Sequence, residues 1–82
     1  MTTLNLHNDC LTAYAALKAR DPELTARYDA AKYTGIARGT PEHKLGADLG
    51  TLNEVAASFA TGSRISPKKV ARARELIAQL AG

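Results

Sequence analysis

Apolar residues recur three and four positions apart along nearly the whole chain, the spacing that lines them up on one face of an α-helix. The one stretch that alternates as a strand would is Thr2-Thr3-Leu4-Asn5-Leu6, too short to build a sheet. Three prolines punctuate the pattern, each directly after a residue able to cap a helix: Asp21-Pro22, Thr40-Pro41 and Ser66-Pro67. A capping oxygen accepts from the free N–H groups of the first turn, and proline, with its fixed φ and no N–H, suits the first helical position. The chain therefore divides into four helices.

The first is expected from Asn8 or Asp9 to Arg20, with Cys10, Tyr14 and Leu17 turned inward. The second starts after Asp21 and carries Glu23 in its first turn, where the helix dipole favours an acid. It has two apolar stripes, Leu24, Tyr28, Ala31 and Gly35 on one side and Ala26, Ala30, Tyr33 and Ala37 on the other. A helix apolar on two faces belongs at the centre of a bundle or in a dimer contact. It should fray near Gly35 or end by Gly39.

The third helix begins after Thr40, again with an acid, Glu42, in its first turn. Its stripe of Leu45, Leu49, Leu52, Ala56 and Phe59, widened by Val55 and Ala60, is the cleanest in the chain, and Gly62 should end it. The fourth is expected from Pro67 to about Leu80, burying Val70, Ala73, Ile77 and Leu80. Lys68, Arg72, Glu75 and Gln79 then face outward, with Lys69 and Arg74 flanking the buried stripe. The fold class is all-α: a small four-helix bundle forming a single domain over residues 1–82, with most of its stability in the packing of helix three on helix four. Small residues four apart, Gly35/Gly39 and Gly46/Gly50, indicate close helix crossing or local weakening.

Length and composition narrow this further. Eighty-two residues hold one modest core. A single cysteine, Cys10, rules out an internal disulfide. The opening Met-Thr-Thr-Leu-Asn-Leu-His lacks the basic start and apolar run of a signal peptide, and nothing approaches the ~20 apolar residues of a membrane span. A cytoplasmic, soluble protein is expected.

Candidate chemistry is sparse. His7, Asp9 and Cys10 cluster, but His43 is far away and no paired ligands suit zinc, so neither a metal nor a cofactor is expected. No phosphate loop, nucleophile elbow or zinc-protease pair occurs, and no enzyme is expected. Ser58, Ser63 and Ser66 read as surface, turn and cap. Tyr14 and Tyr28 fall on core stripes, whereas Tyr33 and Ile36 on helix two suit a partner surface.

Charge supplies the one positive signal. The net charge is +3, yet residues 1–35 balance four basic groups against four acids. The excess lies beyond them, and residues 64–74 hold Arg64, Lys68, Lys69, Arg72 and Arg74 with no acid. Helix four thus reverses the sign seen at the starts of helices two and three, placing Lys68 and Lys69 in the first turn behind the cap Ser66. Positive charge there costs roughly 0.3–1 kcal/mol per group and suits an anionic partner.

The runs Thr51-Leu52-Asn53-Glu54-Val55-Ala56 and Ile65-Ser66-Pro67-Lys68-Lys69-Val70-Ala71-Arg72 resemble the helix-turn-helix of LacI-type repressors, with a longer turn and at the C-terminal side of the chain. That family opens its first helix with Thr-Leu-x-Asp-Val-Ala and its recognition helix with Val-Ser-x-x-Thr-Val-Ser-Arg. The resemblance implies that Ser66, Lys68, Lys69 and Arg72 stand nearest the DNA, in the major groove. The expected function is a nucleic-acid-binding module, a DNA-binding regulator acting as a dimer, with Arg64 and Arg74 adding phosphate contacts. The alternative is a phage- or plasmid-type inhibitor or adaptor that turns the same patch and helix two against an acidic protein surface, for example in a CRISPR effector or polymerase.

Overall fold

The computed structural model describes the backbone of residues 3–62 and 64–81, and the side chains of residues 6–62 and 64–80. It contains α1 (Thr3–Arg20), α2 (Pro22–Ala31), α3 (Pro41–Thr61) and α4 (Pro67–Ala81), with no strand among the described residues. The all-α four-helix architecture is as the periodicity implies.

The three proline-marked starts are capped. Asp21 Oδ1 accepts from Leu24 N at 3.1 Å, and Thr40 Oγ1 accepts from His43 N at 3.2 Å. Ser66 Oγ accepts from Lys68 N at 3.2 Å, while its carbonyl accepts from Lys69 N and Val70 N. At the far end of α3, Gly62 takes the left-handed conformation, φ 73°, that closes a helix at low steric cost.

Two helix bounds differ from expectation. α1 begins at Thr3 rather than Asn8 or Asp9. Leu6 extends the series Cys10, Ala13 and Leu17 by one turn, and the buried Leu6 outweighs the brief alternation around it. α2 stops at Ala31, before Gly35, where Thr34 N and Gly35 N both donate to Ala31 O. Tyr33 and Ala37 therefore lie outside the helix, and the second apolar stripe never forms.

α2 is also not central: none of its residues is buried. It docks on the first half of α3, where the Tyr28 ring lies over Gly46 and Arg27 Nε donates to Glu42 Oε1 at 3.0 Å. A Cβ built on Gly46 would stand 2.6 Å from Tyr28 Cε1, so the glycine permits this crossing. Thr25 Oγ1 adds a bond to Lys18 O of α1, at 2.7 Å.

The central element is α3, which packs against all three other helices and most extensively against α1. The core joins Leu6, Cys10 and Ala13 of α1, Leu52, Val55 and Ala56 of α3, and Ala73 and Leu76 of α4. The expectation that the α3–α4 contact dominates is thus corrected, because α1 supplies an equal share of the buried side chains. Within α4, Leu76 is buried and Val70, Ile77 and Leu80 are half-buried, so the inner stripe is turned slightly from the expected one. Ala60, placed on the core stripe of α3, is exposed.

Two polar side chains are settled inside this packing. Ser58 is buried rather than on the surface, donating to Val55 O at 2.8 Å. His7 Nδ1 donates to Ala56 O at 2.8 Å, tying the start of α1 to the second half of α3. Leu17 and Arg20, at the other end of α1, share a cleft with Pro41 and Leu45. α1 therefore runs antiparallel to α3, and α4 does likewise, leaving the start of α4 and the 32–40 connection at opposite ends of the molecule.

Candidate nucleic-acid interface

The start of α4 is built by two local events: α3 closes on Gly62, and Ser66 caps the new helix. Arg64 and Lys68 are exposed on either side of that cap. A shallow pocket of about 340 Å³ opens between the two helices, lined by Glu54, Ser58, Thr61, Arg64, Ser66 and Lys69.

The six residues singled out for nucleic-acid binding do not form one uniform patch. Lys69 Nζ is bonded to Glu54 of α3. Arg72 turns toward α3 instead of facing outward, and donates to Asp48 Oδ1 at 3.1 Å and to Glu75 Oε2 at 3.0 Å. The Glu75 and Asp48 hydrogen bonds raise its pKa, fixing the guanidinium charge. Arg74, two positions further along, lies on the other flank, close enough to Cys10 to oppose the rise in its thiol pKa. That rise comes first from burial and then from Asp9.

Arg64, Lys68 and Arg74 have no ion-pair partner among the described residues. Arg64, Ser66 and Lys68 share the end of the molecule, with Lys69 beside them on its carboxylate. Sequence reasoning missed Glu54 and Asp48 as holders of Lys69 and Arg72. Their signal was present in α3, whose two mid-helix acids lie on the flank that α4 covers.

Residues 51–56 lie in the middle of α3, which has already run from Pro41, and α4 begins only at Pro67. Ser63 falls outside the described residues. Tyr33 is 83 % exposed in the 32–40 connection, with Lys32 Nζ 5.5 Å from its ring centre, and Ile36 nearby is half-buried. The length of α3, about 30 Å at ~1.5 Å per residue, separates these two residues from the start of α4.

Among the described residues no group of His, Cys, Asp and Glu is arranged to hold a metal ion, and no helix is long and apolar enough to cross a membrane. Compared with protein-family models, with curated proteins and with solved structures, the chain matches none.

Proposed function

We propose that this chain is a small basic nucleic-acid-binding protein, a DNA-binding regulator that meets phosphates with the first turn of α4. The observation that carries the reading is Lys68: exposed, unpaired among the described residues, and set on the positive end of a capped helix. Arg64 extends the same positive end. The acids Glu23 and Glu42, at the matching ends of α2 and α3, contrast with the lysines in the first turn of α4.

The internal ion pairs set the scale of binding. With Lys69 and Arg72 already held by α3, phosphate contact falls to Arg64, Lys68 and, on a wrapped duplex, Arg74. Each phosphate neutralised contributes about −0.9 to the slope of log affinity against log salt, so the slope expected is about −2 to −3. Fluorescence anisotropy with a short duplex at several salt concentrations measures it, and a flat dependence removes the proposal. Lys68→Glu should abolish binding while leaving the helix content unchanged, because an acid suits that position.

The second reading is a protein-binding inhibitor or adaptor, favoured by Tyr33, the most exposed large hydrophobic side chain among the described residues. On that reading a complex with an acidic protein partner, captured by pull-down, survives nuclease treatment, and both Tyr33→Ser and Lys68→Glu weaken the capture.

A further inference from the structure

At the end of α4 remote from Lys68, the α1–α2 corner, the start of α3 and the last turns of α4 enclose a cleft. Its walls are aliphatic: Leu45 and Leu76 are buried, while Leu17, Leu24 and Leu80 stay half-open to solvent. The volume is about 380 Å³, within the roughly 300–1,000 Å³ span of small-molecule sites. No aromatic ring lines it.

The charges at its rim are unbalanced in a specific way. Two acids reach the cleft: Asp21, which caps α2 through Leu24 N and keeps its charge, and Asp48, which accepts from Arg72, itself a lining residue. Arg20 and Lys44 also line it, and neither has an ion-pair partner among the described residues. Lys44 stands one turn before Asp48, the usual spacing for a helical pair, but Arg72 occupies that carboxylate. Two exposed cations, paired with neither Asp21 nor Asp48, therefore overlook a leucine-walled hollow.

We infer that this cleft binds a small amphipathic anion, an aliphatic chain ending in a carboxylate, with the chain on the leucines and the head between Arg20 and Lys44. The site is independent of the duplex-binding reading and lies at the opposite end of α4.

The test is NMR titration of the intact chain with decanoate, kept below micelle-forming concentration, against decanol and butyrate. Decanoate should shift the methyl signals of the cleft leucines saturably, with decanol and butyrate each much weaker, since one lacks the charge and the other the chain. Arg20→Gln with Lys44→Gln should weaken decanoate about tenfold, the scale of two exposed charge pairs, and Lys68→Gln should leave it unchanged. Equal binding of decanol and decanoate, an unaffected double variant, or shifts lying outside the cleft overturns the assignment. So does a leucine-containing acidic peptide that binds where decanoate does not, because the occupant is then a protein segment.

Discussion

Gly46 and Gly50 stand one turn apart on α3, and a methyl group added to each meets a different fate. At Gly50 no heavy atom lies within 4 Å of the new Cβ, so Gly50→Ala should raise stability by about 0.5–1 kcal/mol through helix propensity alone. At Gly46 the methyl runs into the Tyr28 ring. Gly46→Ala should displace the Tyr28 ring and loosen α2, cancelling the helix-propensity gain seen at Gly50, and pairing it with Tyr28→Ala should be less than additive. Thermal melts of the four variants check both statements. Glu42 gives a pH signature at the same contact. The hydrogen bond from Arg27 is the first cause that holds its carboxyl below the ordinary glutamate range. The unfolded chain then takes up the proton first, so this contribution is complete above the ordinary value and is lost as pH falls through it toward the folded one. Arg27→Gln should flatten that acid limb in denaturant titrations at stepped pH. At Lys69 the structure revises an otherwise simple charge reversal. Glu54 is its partner, so Lys69→Glu sets two carboxylates together and should weaken the fold, whereas Lys68→Glu should not.

Among the elements, α3 acts as the axis on which α1, α2 and α4 are mounted. Leu52 is fully buried in it, and Leu52→Ala should cost about 2–5 kcal/mol, measurable by denaturant unfolding. Cys10, equally buried on α1 with its thiol pKa raised by burial, should resist alkylation until the chain unfolds. Much of this level was legible in the sequence, because caps and prolines act locally: the starts of α2, α3 and α4 follow from Asp21, Thr40 and Ser66 with no knowledge of packing. The inner stripe of α3 was legible too, being apolar at every turn. The ends that were misjudged are those decided by tertiary contact. The extra turns at the start of α1 depend on Leu6 finding the core, and Ser58 is buried by the helices packed over it, its hydroxyl satisfied by Val55 O of its own helix. For the candidate interface, residue types were legible and their pairing was not. Asp48 and Glu54 lie far from Arg72 and Lys69 along the chain, so which cations remain unpaired is decided by how α4 lies on α3.

Over the whole molecule, charge and packing divide differently. Arg64 and Lys68 mark one end, and the leucine-walled cleft and Tyr33 lie toward the other. A duplex held at the first should leave the second open, so decanoate and DNA should bind together without competing. The uneven attachment of α2 has a further consequence. This helix buries no residue fully and is fastened by one ring, one exposed ion pair and one hydroxyl bond. Such a segment should open on its own, with little of the global free energy involved. Backbone amides of α2 should exchange with deuterium far faster than those around Leu52, and trypsin should cut first at Lys32 or Arg38 while the other three helices stay assembled. Because Leu24 forms one wall of the cleft, an occupant there should slow both the exchange and the cut. Occupancy would then be recorded as protection of a hinged flap rather than as a change in shape.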